Sequence, residues 1–454
     1  MEESELVREL RTRIEQLGKN NETLQIAIAE IRKAIAAIRN ENKELRKENK
    51  QLQTKLEQFI TLAKERLPSY AKTETPATQS KPSGRPQGHE GSGRPTPEDI
   101  HKQAKLKPVT HCPECKTKVK IKRWRKRTIT RLVQGWLENT EYEIPQGFCP
   151  KCHTSVEPTV PNALPNSRFD LSLALWVACL RMLGVSVDKI RFLLKTDYSL
   201  KISSATVINT CNKLAKFLGE DYERLREELV KEKRVHGDET GWRTKGKRRW
   251  LWEFISKNTA YFTIRKTRDH TVPEEILKEF KGVFSSDFWG AYNVLTCEKQ
   301  KCWVHLKREL DKVLKYKYSK EFAGFASRLM RLYYFAVRER NHGAKTRKFA
   351  EERLSVILGQ TYENAECRRL VKTLTRYQKE LFTFCARRGV EKDNNLGERG
   401  IRPAAVIRRI GFGSQSDEGA STTAVLMSFF QTARLREENF MEFVHELAEK
   451  HLQN

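Results

Sequence analysis

Val235-His236-Gly237-Asp238-Glu239-Thr240 and Val283-Phe284-Ser285-Ser286-Asp287-Phe288-Trp289-Gly290-Ala291-Tyr292 decide the reading of this chain. In each, a short apolar run ends on an aspartate, as a strand does when it leaves the core of a sheet. A third acid, Glu398, lies in Asp393-Asn394-Asn395-Leu396-Gly397-Glu398-Arg399-Gly400, a polar, helix-like stretch. Carboxylate oxygens are the ligands of hard divalent cations. Two such ions about 4 Å apart hold both the attacking and the leaving oxygen of a phosphodiester. Two strand-end aspartates and one helical glutamate therefore point to metal-dependent phosphoryl transfer.

The surroundings support that placement. Residues 234–239, 249–256 and 259–265 read as strands, with turns at Lys245-Gly246 and Lys257-Asn258. Residues 271–280 read as a helix with Pro273 in its first turn, and residues 282–286 as a fourth strand. Asp238 ends the first strand and Asp287 the fourth. Glu239 adjoins Asp238 but points to the opposite face of its strand, so it is left out of the site.

The bulk numbers suit a polyanionic substrate. The 454 residues carry a formal charge of +28, and 32% of them are charged. Such basicity indicates nucleic acid or an anionic surface. The length calls for more than one domain. No run approaches the roughly 18 apolar residues of a membrane helix. The acidic start, Met1-Glu2-Glu3-Ser4-Glu5, has no signal-peptide core, so an intracellular protein with reduced cysteines is expected.

Four regions precede the strands. Over residues 3–67, Leu10, Leu17, Leu24, Ile31, Ile38, Leu45 and Leu52 recur every seventh position. Val7, Ile14, Asn21, Ile28, Ile35, Asn42, Asn49 and Leu56 form the companion series. This is a coiled-coil pattern over residues 1–67, and its three Asn favour a defined register, most simply a parallel dimer. Residues 68–107 are rich in Pro, Gly and Ser around 81–95 and read as a linker. Cys112-Pro113-Glu114-Cys115 and Cys149-Pro150-Lys151-Cys152 supply four thiolates for tetrahedral structural zinc within residues 108–162. A matched pair points to metal rather than redox chemistry. His111 and His153 are bystanders. Strands are expected at 129–133 and 141–144, with Gly135 or Asn139 at the turn. Residues 163–230 read as helices, with Ser203-Ser204-Ala205-Thr206 capping the last of three. Two helices around a polar turn fit a helix-turn-helix that reads DNA, although any small helical bundle has the same pattern.

Beyond the strands, residues 306–390 carry apolar residues at helical spacing and read as a helical insertion. Residues 231–305 and 391–415 then form the two parts of one core. Residues 416–454 form a C-terminal helical segment, in which Thr422 to Leu452 reads as two amphipathic helices that break near Asn439. The fold class expected is multidomain α+β.

Several stretches together resemble the insertion-sequence-66 family of DDE transposases. They are His236-Gly237-Asp238-Glu239-Thr240-Gly241-Trp242, Ser286-Asp287-Phe288-Trp289-Gly290-Ala291-Tyr292, Cys302-Trp303-Val304-His305, Asn394-Asn395, Glu398-Arg399, Ile401-Arg402-Pro403, Gly413-Ser414 and Gly419-Ala420. The order of the coiled coil, linker and zinc knuckles is also similar to that family's layout. Gly397 stands where alanine is usual, and Val304 lies inside the Cys-Trp-x-His element. The resemblance implies an RNase H-like core, with Asp238, Asp287 and Glu398 as a metal-binding triad. Asp238 would bridge two Mg²⁺ (or Mn²⁺) ions, and Asp287 and Glu398 would each complete one site.

The resemblance further implies double-stranded DNA as partner, both transposon ends and target. It implies a homodimer or higher oligomer through the coiled coil, accessory proteins encoded by the same element, and a cytoplasmic, nucleoid-associated protein of a prokaryotic host. His305, Arg399 and Arg402 are candidate DNA contacts, with a structural histidine and solvated arginines as the alternatives. Trp289 and Tyr292 suit either stacking on a displaced base or core packing. Two other functions share these features. One is a non-catalytic zipper and zinc-ribbon DNA-binding regulator. The other is a nuclease that cuts without strand transfer.

Overall fold

The computed structural model describes residues 97–453 except 134, together with positions 13–17, 25, 28–30, 33, 36, 40, 44, 47 and 51. The chain divides into two compact units, residues 1–90 and 91–454. In the first unit every described position is helical, and Ile14, Leu17 and Ile28 are exposed. The remaining heptad positions, and residues 68–96 of the expected linker, lie outside the described residues.

The second unit opens with a small sheet of order β1-β3-β2, with β4 on the far part of β3. Its strands are β1 (Lys102–Lys105), β2 (Lys120–Val133), β3 (Trp136–Phe148) and β4 (Ser155–Val156). β2 and β3 make one long antiparallel hairpin, from Lys120↔Phe148 to Val133↔Trp136. Two expectations change here. Residues 102–105, read as linker, pair in parallel with β3. Asn139 is not a turn residue: it lies inside the ladder, and its side chain bonds the Thr130 hydroxyl at 2.6 Å. Gly135, at φ +90°, is the turn residue, in a conformation that side chains disfavour.

Four helices follow: α1 (Leu171–Met182), α2 (Val187–Tyr198), α3 (Ser204–Phe217) and α4 (Gly219–Lys231). Asp170, Ser186 and Ser203 each accept a bond from a backbone N–H of the first turn, so the caps are the short polar side chains the sequence offers. A five-stranded sheet then forms from β5 (Arg234–Thr244), β6 (Lys247–Ile255), β7 (Ala260–Arg265), β8 (Val283–Ser286) and β9 (Glu298–Lys301), with α5 (Thr271–Leu277) between β7 and β8. Its order is β7-β6-β5-β8-β9. β5, β6 and β7 are antiparallel, while β5–β8 and β8–β9 are parallel. Lys245 and Gly246, at φ +53° and +74°, make the expected tight turn. β9 has no counterpart in the sequence reading, because Glu-Lys-Gln-Lys has no strand signature.

Between β9 and the return to the sheet lie α6 (Trp303–Tyr316), α7 (Lys320–Arg338), α8 (Ala344–Leu358), α9 (Ala365–Arg376) and α10 (Thr383–Ala386), the first of which begins three residues before the expected insertion at 306–390. This insertion has its own core around Phe322, Phe325, Leu329, Leu354 and Phe382. The chain returns to the sheet through α11 (Asn395–Gly400) and α12 (Arg402–Gly411), and ends in α13 (Asp417–Leu435) and α14 (Phe440–Gln453).

The largest core joins regions that the sequence separates. Leu173, Val177, Leu214, Trp242, Leu251, Phe262, Phe429 and Val444 belong to one cluster, so the helices at 171–231, the sheet and the tail share a core. α13 is not amphipathic as expected. Its residues 424–433 are all buried, because it fills the space between the sheet and α3. It also closes the sheet's edge. Ser428 Oγ accepts from Phe262 N at 2.8 Å, and Thr432 Oγ1 accepts from Ala260 N at 3.0 Å. An edge strand otherwise exposes such groups to other chains. Replacing Ser428 by Ala leaves a buried N–H without an acceptor. The variant is expected to lose about 1–3 kcal/mol, read as a lower midpoint in chemical denaturation followed by circular dichroism.

Candidate functional site

β5 is the middle strand of its sheet, and its residues alternate between two buried faces. Val235 and Glu239 face one apolar cluster, with Trp252, Phe284 and Tyr292. His236, Asp238 and Trp242 face the other side. Gly237 allows the close approach between them: a Cβ there would stand 2.4 Å from the Phe284 ring. β5 and β8 run in parallel with His236 opposite Ser285. Asp238 and Asp287 each follow two residues later, side by side just past the paired stretch. Asp287 follows the last residue of β8, but Asp238 does not end its strand as expected, because β5 continues along β6 to Thr244.

The electrostatics are those of crowded acids. Asp238 is pushed up to about 7, first by burial, then by Glu239, Asp287 and Glu398, against one bond from Glu239 N. Like charges in a poorly hydrated site favour protonation until a cation arrives. Asp287 is half-buried; its Oδ1 caps Trp289 N at 2.9 Å. Glu239 is used up elsewhere, by Arg268 and the Tyr292 hydroxyl, which agrees with leaving it out of the site.

Glu398 is carried by α11, and α11 is locked to β5 by Asn394. The Asn394 Oδ1 bonds His236 Nδ1 at 2.9 Å, and its Nδ2 donates to Gly237 O at 2.9 Å. A Cβ at Gly397 would stand 3.1 Å from both amide atoms of Asn394, so glycine leaves that clamp unhindered. Glu398 itself is held by Arg308 of α6, at 3.2–3.3 Å, and lies 3.7 Å from His305 Nδ1. Among the described residues, two sets of three or more ligand atoms from His, Cys, Asp and Glu lie within 4.8 Å of one another. They are the four cysteines 112, 115, 149 and 152, and the trio Cys302, His305 and Glu398. Asp238, Asp287 and Glu398 are not a third such set. They share an electrostatic field but do not converge as closely. Their oxygen donors and mutual repulsion nonetheless fit a hard divalent cation.

Other predicted residues are spread more widely. Arg399 and Arg402 are exposed on α11 and α12 and have no ion pair among the described residues. Tyr292 is fully buried, whereas Trp289 is 38% exposed with the Arg268 guanidinium 4.0 Å from its ring. Tyr292 is thus core, and only Trp289 can offer a free face.

Three neighbours of the site were not singled out. Lys301 is fully buried, and its Nζ donates to Asp287 O at 2.8 Å and Ser286 Oγ at 3.1 Å, which fixes the end of β8. Its polar strand gives no signal. Arg308 lies one turn after His305 on an amphipathic helix, a spacing that could have drawn attention. Glu253 is a lone acid in the apolar run Trp250-Leu251-Trp252-Glu253-Phe254-Ile255, which is a readable oddity. It is opposite Asp238 in the ladder and fully buried, and neither of its oxygens has a partner.

The four cysteines form a separate centre in the small sheet. Each pair lies on a turn of the same construction: Lys116 N and His153 N donate to Cys112 O and Cys149 O at 3.0 Å. Lys116 and His153 both have positive φ. The Cys112–Cys152 and Cys115–Cys149 sulfurs are 4.0 and 3.4 Å apart. Ideal tetrahedral zinc thiolates stand about 3.8 Å apart. Bonds from Thr117 pull Cys115 down to about 6, while Cys152 is pushed up by its three cysteine neighbours. Four thiols this close cannot all ionise unless a cation compensates them, so the donor set fits zinc.

Comparison with known proteins now adds an identity. The family model for "Transposase IS66 family" matches residues 174–422, more than half of the chain. The matched segment holds all three candidate carboxylates. The chain belongs to the IS66 transposase family, and so is a transposase. One similar solved structure is the catalytic domain of Mos1 mariner transposase, at 11% identity, covering 48% of this chain and 97% of that one, with a TM-score of 0.12. At that score the overlay carries no argument about this fold. Comparison with curated protein sequences gives no match. No described helix is long and apolar enough to cross a membrane.

Glu253 provides a test of the site's electrostatics. Burial, and then Asp238, hold its carboxyl well above the usual range. A group whose folded value is raised favours folding below its unfolded value, and that contribution is lost as pH rises. Glu253→Gln is therefore expected to melt higher than the parent at pH 8 without added divalent cation. The gap should close toward pH 4–5, which paired thermal melts across that range would read.

Proposed function

We propose that this transposase cuts and joins DNA strands at the ends of a mobile element, with Asp238, Asp287 and Glu398 as its metal-holding carboxylates on an RNase H-like core. One observation carries the reading. In a chain of net charge +28, a half-buried aspartate on the central strand lies in the combined field of Glu239, Asp287 and Glu398. A basic protein that collects acids in one half-buried place has a use for a cation there.

Divalent cations would supply the Lewis acidity that activates a water or a DNA 3′-hydroxyl and stabilises the departing 3′-oxygen. The residues do the rest. Asp238 presents its oxygens from within β5 and Asp287 from just beyond the end of the adjacent β8, and Lys301 holds the backbone that carries Asp287. Asn394 keeps α11 against β5, so that Glu398 faces the same region. Arg308 neutralises Glu398, and its guanidinium would be free for a DNA phosphate if Glu398 instead held a cation. His305, Arg399 and Arg402 are further candidates for phosphate contacts. The four cysteines hold structural zinc, and the helix-turn-helix formed by α2 and α3 contacts the terminal repeats. The heptad segment pairs two chains and with them two DNA ends. Accessory proteins from the same element join the complex.

Labelled terminal-repeat DNA with Mg²⁺ tests the reading. The parent protein should release 3′ ends and then form joined products, and Asp238→Asn should lower both by at least about a thousandfold, the scale on which removing a principal catalytic group acts. Binding without cleavage, identical in the two proteins, would instead indicate a regulator, and cleavage without joining a nuclease. A second expectation follows from Asp238. Its proton competes with the cation, so Ca²⁺ affinity measured by calorimetry should fall about tenfold per pH unit below 7. Binding near pH 7 should also release a proton, seen as a dependence of the heat on the buffer.

A further inference from the structure

The trio Cys302, His305 and Glu398 forms a cluster separate from the two aspartates and from the four cysteines. One ligand atom from each lies within 4.8 Å of the others. Cys302 is buried at the residue just before α6, and its sulfur accepts from Asn394 N at 3.2 Å. His305 Nδ1 is buried and has no hydrogen-bond partner, although Glu398 Oε1 is 3.7 Å away. A buried ring nitrogen without a partner is costly unless something binds it. The two Glu398 oxygens divide their neighbours. Oε2 takes two of the three Arg308 contacts, while Oε1 is the oxygen near His305.

We infer that Cys302, His305 and Glu398 form a second zinc site. Sulfur, imidazole nitrogen and carboxylate oxygen are a donor set for a borderline-soft cation such as Zn²⁺ rather than for Mg²⁺. Thiolate and carboxylate together balance a doubly charged ion, and the neutral imidazole adds none. Three protein ligands leave a fourth position open to water or to a DNA phosphate oxygen. The Asn394 N–H to sulfur and the Arg308 contact to Glu398 are the outer partners that such ligands need. Asn394 therefore serves both this site and the clamp on β5. One consequence rests on the function proposed above. Zinc held here engages Glu398 and withdraws it from the two aspartates, so zinc would inhibit cleavage that Mg²⁺ supports.

Zinc content of the full chain, after loading and desalting, tests the site without reference to activity. Native mass spectrometry should find two ions per chain in the parent, and one in His305→Ala and in Cys302→Ser. Cys112→Ser should lose the other ion. With ¹¹³Cd in place of zinc, NMR should show two resonances, one from four sulfurs and one from mixed ligands, and only the second should vanish in His305→Ala. Far-ultraviolet dichroism identical to the parent shows that a variant is folded; if Cys302→Ser is not, His305→Ala decides. A parent that binds one ion, or a second ion kept by both variants, overturns the inference. If the proposed cleavage through Asp238, Asp287 and Glu398 alone is wrong, the parent cuts no DNA while the zinc counts still change as stated.

Discussion

The pairing of β5 with β8 at the centre of the sheet is the constraint on which the rest depends. A strand with partners on both edges and layers on both faces has no residue that faces open water along most of its length. Asp238 is on that strand. Its carboxylate is consequently short of water, and every other acid nearby is felt strongly. The same pairing sets Asp287 beside it, because β8 runs parallel to β5 with Ser285 opposite His236, so the residues two further on reach the same level. Ligands of open sheets gather at the C-terminal ends of parallel strands for this reason.

The third carboxylate depends on a different kind of contact. Glu398 is separated from the strands by about a hundred residues of chain that fold around a core of their own. Asn394 bridges that separation with two hydrogen bonds, one to a buried imidazole and one to a strand carbonyl. Each bond is worth about 1 kcal/mol, but together they orient a whole helix. The helical insertion then supplies the remaining neighbours of Glu398, namely Cys302, His305 and Arg308, from the start of α6. The insertion thus contributes chemistry as well as bulk.

Much of this was legible in the chain. Asp238, Asp287, Glu398 and the four cysteines are marked by local patterns: apolar runs ending on an acid, and paired Cys-x-x-Cys spacings. The hairpin turn at Lys245-Gly246 and the cap at Ser203 are equally local, since a turn and a helix start are decided within a few residues. What escaped the reading depends on distant parts of the chain. β9 is polar by composition and is a strand because β8 offers it an edge. Lys301 is buried at its end by an insertion that begins after it. Amphipathic character is expected of α13, yet its run Ala424-Val425-Leu426-Met427-Ser428-Phe429-Phe430 is apolar on every side, and it is buried between the sheet edge and α3.

By itself, then, the sequence determined which segments could be strands and helices, where cysteines pair at a spacing that suits zinc, and which acids are candidates for chemistry, because these follow from short-range periodicity and the nature of each side chain. Only the tertiary structure decided which acids share a field. It set Glu253 unpartnered opposite Asp238, gave Glu239 to Arg268 and Tyr292, and held Glu398 against Arg308 and beside Cys302 and His305. The physical reason is that burial and Coulomb interaction depend on distance in space, and residues a hundred or more positions apart in the chain meet only after the core has formed.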